Sequence, residues 1–559
     1  MKRYLLISFV CFCNSTFSQQ VSWISKIEYS NWLSQYDIIT NPNGNTCITG
    51  QLVGDALIGN NFISSNGNAA FYMASYNSQG VVDWLKQSNQ IGYSFARGVK
   101  LGLDNNGDIY VGGIFFGHVN FDADTVQSVG PWAAADDIFI AKYSPQGNLK
   151  WIRTAGGIQS DDLTAIAVDS SGNVYVAGTY FSDSIYFGNF LLHNSSLSQE
   201  LFLAKLDSSG TWQWAKQTHS SGIFQPVVFV TDMCITADDN IILLGTFSSD
   251  TVQFDSTHFC TSNSMIYGNV NYIARYDLNG NVQNAFLIDT IYFNNLHPQA
   301  IAKDSAGNYY LTGYFLDTVA IGPNIFQNPS NGNSRLFLAK YDLVDNVIWV
   351  KQFFTSIPSV YANSRDINIH NGTDIFITGN FNSSLQLDTI TLTGGGSDKC
   401  FIAQFDTSGH ALFAASSPTS QSYGEHISSD SSGIIYLSGF YRGNFSLGQI
   451  TVSDTGAQGN RYVAKINDLL LGFESVSLQE NEIRIFPNPV SNKLLVHFPD
   501  VFPEATIEIF SIYGQRILAS IISHGRNKIE VEVKNLSSGI YFLKAKTGEK
   551  IFIKRIIKT

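Results

Sequence analysis

Four aspartates in this chain stand at the same place in the same phrase. They open Asp104-Asn-Asn-Gly-Asp-Ile-Tyr-Val-Gly-Gly113, Asp169-Ser-Ser-Gly-Asn-Val-Tyr-Val-Ala-Gly178, Asp304-Ser-Ala-Gly-Asn-Tyr-Tyr-Leu-Thr-Gly313 and Asp430-Ser-Ser-Gly-Ile-Ile-Tyr-Leu-Ser-Gly439. A carboxylate followed three residues later by glycine has two chemical uses. One is a calcium loop, which wants further Asp or Asn at alternating positions and a distal Glu. The other is a tight turn, in which the carboxylate accepts backbone N–H groups just ahead and glycine takes a positive φ. The distal Glu is missing here, so the turn is expected and no metal is assigned.

Other reactive groups do not converge in the sequence. His118, His193, His219, His258, His297, His370, His410 and His426 form no His-x-His or His-x-x-x-His pair. There is no Gly-x-Ser-x-Gly elbow and no Gly-x-x-x-x-Gly-Lys-Ser/Thr loop. Cys47, Cys234, Cys260 and Cys400 show no Cys-x-x-Cys spacing, which argues against zinc. Cys234 and Cys260 fall within one repeat, where a disulfide and two buried thiols both remain open. Nothing separates a carboxylate-binding set from Arg97, Arg153, Arg275, Arg335, Arg365, Arg442 and Arg461. No catalytic residue and no cofactor is therefore assigned, and the chain is expected not to be an enzyme.

The elements that hold these residues repeat. The anchor glycines Gly50, Gly113, Gly178, Gly245, Gly313, Gly379 and Gly439 lie 63, 65, 67, 68, 66 and 60 residues apart. Each period contains four short β-signals rich in β-branched and aromatic residues, bounded by Asp, Asn, Gly and Ser. The third is Ile138-Phe-Ile-Ala-Lys-Tyr143, echoed by Leu201–Leu206 and Leu336–Tyr341. The fourth sets an aromatic four residues beyond a turn glycine: Gly80 and Trp84, Gly147 and Trp151, Gly210 and Trp214, Gly409 and Phe413. Asn284 replaces it in the fourth repeat. Four-stranded units in this number predict an all-β chain folded as a seven-bladed β-propeller. The last repeat lacks its fourth strand, and residues 21–27, where Val21-Ser-Trp-Ile-Ser-Lys26 matches Leu149-Lys-Trp-Ile-Arg153, are expected to supply it.

The ends differ from the middle. A basic Met1-Lys-Arg3 and a short apolar run predict a signal peptide over 1–18. No run approaches the ~20 apolar residues of a spanning helix, so the chain is not expected to be transmembrane. The propeller is assigned to 19–470, a linker to 471–482 and a small β-sandwich to 483–559. That last segment holds 12 Lys/Arg and 6 Asp/Glu, a balance of +6, against −12 for the whole chain, leaving −18 for residues 1–482. An acidic propeller disfavours nucleic acid as a partner.

Several of these phrases are shared with known families. The Gly-Asn-Val-Tyr-Val-Ala-Gly and Phe-Leu-Ala-Lys-Tyr runs resemble the secreted bacterial beta-propeller repeat over about residues 20–470. That resemblance implies the propeller fold and surface or adhesive roles. Pro487-Asn488-Pro489, Ile512-Tyr513-Gly514, Leu536-Ser-Ser-Gly539-Ile-Tyr541 and the terminal Lys554-Arg555 resemble the C-terminal sorting domain of type IX secretion cargo in Bacteroidetes. It implies a partnership with the type IX secretion machinery, passage across the outer membrane, and release or attachment at the cell surface. Asp-Thr/Ser-aliphatic triplets resemble a Bacteroidetes O-glycosylation sequon, with Thr125, Ser184, Thr251, Thr318 and Thr389 as the implied acceptors. The run Asp207-Ser-Ser-Gly210-Thr-Trp212 is similar to a sialidase Asp box but spaces Asp and Gly one residue too far apart.

The resulting expectation is a secreted or cell-surface, non-catalytic binding or adhesion propeller whose loops meet a surface glycan or an envelope protein. The alternatives are a carbohydrate-active enzyme with a carboxylate site in the central funnel, or a structural surface-layer component.

Overall fold

The computed structural model describes residues 20–467 and 484–558 apart from 131–134, 195–198, 223–225, 262–268, 290–294, 329–332, 354–360, 419–420, 455–457, 487–489, 499–504, 512–515, 518–519, 525–527, 538 and 548–549. Two compact units separate at Leu471–Gly472. The signal-peptide and linker assignments lie outside the described residues.

The larger unit is all β. Among the described residues its main sheets are one of eight strands, one of five and four of four, all antiparallel, and they divide into repeating four-stranded blades numbered here in chain order. Their inner strands are Trp32–Thr40, Asn89–Leu103, Asp161–Val168, Val228–Ile235, Leu296–Lys303, Ala362–His370 and Ser422–Ser429. Each inner strand packs on the next, and the seventh packs on the first, so the ring is closed. The strand Gln20–Tyr29 lies beside Asn460–Asn467 as the outer strand of blade 7, with Trp23 opposite Lys465. It runs on to pair Ile27 with Ile58 of blade 1, which joins those two blades into one eight-stranded sheet. Between the second and third strands of several blades the chain adds a small outer hairpin, such as Ser184–Phe187 with Phe190–His193.

One contact repeats between blades. The Trp84 indole lies on Gly147 of the next blade and its Nε1–H donates to Pro145 O at 3.0 Å. Trp151 does the same to Gly210 and Ser208 O at 3.2 Å, and Trp349 to Gly409 and Thr407 O at 3.1 Å. Trp23, in the closing strand, reaches Gly80 and Ser78 O in the same way. Gly147 and Gly210 have φ of 78° and 80°, and a Cβ at Gly210 would stand 2.8 Å from the Trp151 ring. Between blades 4 and 5 the lock is polar instead. Asn284 donates to Asp345 at 2.9 Å, Arg275 forks onto the same carboxylate, and Tyr309 donates to it at 2.9 Å.

The smaller unit is a sandwich of two four-stranded sheets closed over Val490, Leu494, Val496, Ile509, Ile529, Val531, Leu543 and Ile556. Pro487, Asn488, Pro489, Tyr513 and Gly514 lie outside the described residues. Gly539 and Tyr541 begin the strand Gly539–Thr547, where Tyr541 donates to Ser537 O at 2.9 Å. Lys554 and Arg555 lie in its neighbour Lys550–Lys558, opposite Leu543 and Phe542.

The Trp–Gly lock sets the first test. Trp151→Ala should lower the stability of the larger unit by ~3–5 kcal/mol, as removal of a buried large aromatic does. Gly210→Val should be similarly damaging, because the turn needs positive φ and the indole occupies the Cβ position. Urea unfolding curves of the two variants check both.

Candidate functional site

Antiparallel order divides the side chains between two faces of the ring. The turns joining strand 1 to strand 2, and strand 3 to strand 4, lie on one face, and the repeated aspartates are used up there. Asp104 accepts from Asn106 N and Asp108 N at 2.9 Å, and from Tyr110 OH at 3.2 Å. Asp169, Asp304 and Asp430 repeat the pattern with Tyr175, Tyr310 and Tyr436. A lysine from the third strand covers each tyrosine: Lys142, Lys205, Lys340 and Lys465 at 4.6, 5.0, 5.1 and 5.6 Å from the ring centroids. Asp207, the near-match to an Asp box, is likewise a turn residue, accepting Ser209 N and Thr211 N. Among the described residues no group of three or more His, Cys, Asp or Glu side chains could hold a metal ion.

The opposite face collects what is left over. Every inner strand is bulged at one equivalent step, seen as a register shift at Gln35/Asp37, Gly98/Lys100, Leu163/Ala165, Val230/Asp232, Pro298/Ala300, Ser364/Asp366 and Gly424/His426. The residues just past the bulge form the floor of a funnel. Lys100 of blade 2 reaches Asp232 of blade 4, Nζ to Oδ1 3.3 Å. Asp37, Asp232 and Asp366 each accept a backbone N–H of the next blade, from Leu101 at 2.8 Å, Ile301 at 3.1 Å and Ile427 at 2.8 Å. Burial pushes the Asp37 carboxyl up and Asp366 to about 7, against the opposing pull of Lys100. Burial, reinforced by Lys100, drops His426 to about 3.

Next to these floor residues on the inner strands stand two arginine clusters, Arg97 over Tyr36 and beside Asp162, and Arg365 over Tyr423. Between blades 1 and 2 the mouth opens into a cleft of about 440 Å³. One wall is a looped-out stretch of blade 1 around Gly67 and Asn68, and the other is a second irregularity of the blade 2 inner strand between Ile91 and Phe95. That irregularity thrusts Tyr93 outward, 79% exposed, with its ring edge on Phe116 at 6.1 Å. Phe95 stacks on the same Phe116 at 6.4 Å. Gly117 permits the bulge, since a Cβ there would stand 2.8 Å from Ser94.

Arg97 and Asp136 line the cleft. The guanidinium stands over Tyr36 and reaches Asp162 at 3.4 Å, while its Nε–H has no partner among the described residues. Burial, and then the Asp162 charge, raises the Asp136 carboxyl to about 6 although Arg97 opposes the shift. Close by in sequence, Asp137, which accepts Val129 N at 2.7 Å, and Asp161, which accepts the Ser182 hydroxyl at 3.0 Å, are almost wholly buried. Burial moves them to about 7 and about 8.

Of the seven propeller arginines, Arg97 is paired with Asp162, whereas Arg365 has no ion pair among the described residues. Arg461 is bound to Glu425, Arg275 to Asp345, and Arg153 to Gly210 O at 2.8 Å. The implied glycan acceptors occupy two different positions. Ser184, Thr251 and Thr318 stand at the first strand of an outer hairpin, whereas Thr125 and Thr389 stand at its second, both exposed. Cys234 and Cys260 are free thiols. Sequence reasoning missed Tyr93, Phe95, Phe116 and Asp136. The only local sign was Gly92 and Asn66-Gly67, which interrupt otherwise regular strands.

Comparison with known proteins bears on both units. Residues 484–559 match the family model of the secretion system C-terminal sorting domain, and residues 150–179 match that of the beta-propeller repeat. The C-terminal unit is a type IX sorting domain. The protein is accordingly exported to the cell surface or the extracellular space, and the sorting domain is its link to the type IX machinery. An uncharacterised WD repeat-containing protein of Acanthamoeba polyphaga mimivirus is 25% identical over 370 residues, covering 56% of this chain and 26% of its own. Regulatory protein FlaEY of Caulobacter vibrioides is 26% identical over 148 residues, covering 26% of this chain and 14% of its own. The chain thus spans about a quarter or less of the curated relatives it matches. Among solved structures, an ulvan lyase of the polysaccharide lyases aligns with TM-score 0.37 and 10% identity, over 74% of this chain and 92% of its own. A puromycin hydrolase aligns with TM-score 0.37 and 10% identity over 84% and 59%. No helix among the described residues is long and apolar enough to cross a membrane.

The buried carboxyls give a pH signature. Asp137, Asp161 and Asp366 have folded values raised above 3.8, so the stability they confer is present at low pH and is lost as pH rises through about 7 to 8. His426 is depressed below 6.5 and acts only below that pH, where acidification destabilises. Between about pH 6.5 and 8 the unfolding midpoint should therefore fall as pH rises, and Asp161→Asn should flatten that slope. Urea midpoints across this range measure it.

Proposed function

We propose that the exported propeller binds a saccharide in the cleft between blades 1 and 2 and acts as a surface or secreted binding module. The observation behind this is the pairing of ring faces and hydrogen-bonding groups in one opening. Tyr93 and Phe95, backed by the buried Phe116, offer flat apolar surface for the C–H face of a sugar. Gln51, Asn68, Arg97 and Asp136 offer donors and acceptors for its hydroxyls. Tyr93 is solvent-exposed yet fixed against Phe116, so little side-chain freedom is lost on stacking. Export to the cell exterior brings such a cleft into contact with envelope and environmental polysaccharide.

A second reading, a carbohydrate-active enzyme, is favoured by one feature. Asp136, which lines the cleft, holds its proton to about pH 6 with the Asp162 carboxylate and Arg97 acting on it, so a proton donor at the cleft has a second carboxylate nearby.

A polysaccharide array with the full chain, followed by calorimetry on its best ligand, tests the first reading. Tyr93→Ala should weaken binding about tenfold or more, roughly 1.4 kcal/mol, without changing the urea midpoint. Unaltered affinity in that variant would sink the cleft assignment. For the second reading, release of reducing ends or unsaturated sugars by the wild-type chain and its loss in Asp136→Asn is the expected result. Binding without turnover leaves the module non-catalytic.

A further inference from the structure

Across the funnel from the cleft, blade 6 carries an arginine held in one pose with its donor edge free. Arg365 is the extra residue of the inner-strand bulge, and the bulge turns it out into the mouth, where it is exposed. Its Nε–H donates to Asn380 Oδ1 at 3.1 Å. Its guanidinium carbon lies over the Tyr423 ring at 5.3 Å. Tyr423 is itself fixed, because its hydroxyl donates to Asp398 Oδ2 at 2.7 Å, and Tyr361 donates to the other oxygen of that carboxylate. The stem and one nitrogen of Arg365 are thus committed, while Nη1 and Nη2 have no partner among the described residues.

No carboxylate among the described residues is ion-paired with this edge. Asp366 points to the funnel floor and accepts Ile427 N, Glu425 is taken by Arg461, and Asp398 is capped by the two tyrosine hydroxyls. Arg97 differs in this respect, since Asp162 lies beside it. A planar guanidinium with two parallel N–H groups free matches the two oxygens of a carboxylate or sulfate. Because the pose is fixed before any ligand arrives, little ordering entropy opposes such a contact.

We infer that Arg365 is the specificity-determining residue of the funnel mouth and that it selects saccharides bearing a carboxylate or sulfate group. This rests on the saccharide-binding reading above and adds the ligand's charge to it. A lysine would keep the charge but lose the fork.

The test uses the full chain and three probes: oligogalacturonate, its methyl ester, and inorganic sulfate. The wild-type chain should bind oligogalacturonate about tenfold or more tighter than the ester. Arg365→Gln should abolish that preference while leaving ester affinity and the urea midpoint unchanged, and Arg365→Lys should restore it only in part. Sulfate should compete with oligogalacturonate in the wild type and bind detectably by calorimetry, but not in Arg365→Gln. Equal affinity for acid and ester, or a preference that survives Arg365→Gln, overturns the inference and leaves the cleft reading standing. Arg365-dependent sulfate binding with no affinity for any saccharide keeps the anion site and overturns the saccharide reading. Absence of both sulfate and acid-saccharide binding overturns the inference outright.

Discussion

The larger unit depends on an indole laid against a turn that has no Cβ. Each four-stranded sheet is too small to bury its own faces, so the blades are stable only against one another. Trp84, Trp151 and Trp349 fix that packing at the outer rim by covering the glycine of the next blade and donating to a carbonyl two residues before it. Contact area sets the attraction, and the single N–H bond sets the angle between blades. Trp23 extends the same contact across the place where the chain's two ends meet. Where Asp345 replaces the glycine, with φ of 70°, the ring gives way to Asn284 and Arg275. A carboxylate buried at that rim demands a cation and donors, so this departure from the pattern is compensated as a set.

This division of labour frees one face for recognition. The turn face spends its carboxylates on backbone N–H groups and its lysines on tyrosine rings. These side chains are therefore rigid and unavailable to a ligand. The mouth face is built from residues that the repeat does not constrain, because each blade places a different side chain at the inner bulge. Variation there costs the ring little, as the bulge points into the funnel rather than into the sheet-to-sheet packing.

The all-β class and the propeller repeat were legible because their cause is local and recurs. Period-2 β-branched runs, Asp-x-x-Gly turns and aromatics four residues past a glycine each report a short-range constraint. The sorting domain was legible for the same reason, as a series of short phrases in order. The funnel was not. Asp37, Lys100, Asp232, Asp366 and His426 sit in unlike local sequences, tens of residues apart, and only the shared register shift brings them into one layer. A bulge leaves no mark in hydropathy, so the residue after it cannot be assigned to a face from its position alone. Tyr93 was hidden likewise, since its exposure comes from an irregular step in a strand that reads as continuous.

The floor limits how a ligand can be held. Lys100 crosses from blade 2 to blade 4, and Asp37 and Asp366 tie their blades to the next. These charges are spent on holding the inner strands together, and moving them to admit a ligand would leave buried carboxylates without donors. Recognition is therefore confined to the level above, where Tyr36, Arg97, Arg365 and Tyr423 line the rim and the cleft leads outward between blades 1 and 2. A ligand suited to that geometry lies across the mouth rather than down the axis. An extended chain of repeating units fits this better than a compact molecule. Its apolar faces and its charged groups can then be met by different blades, each holding its side chain in place through the ring.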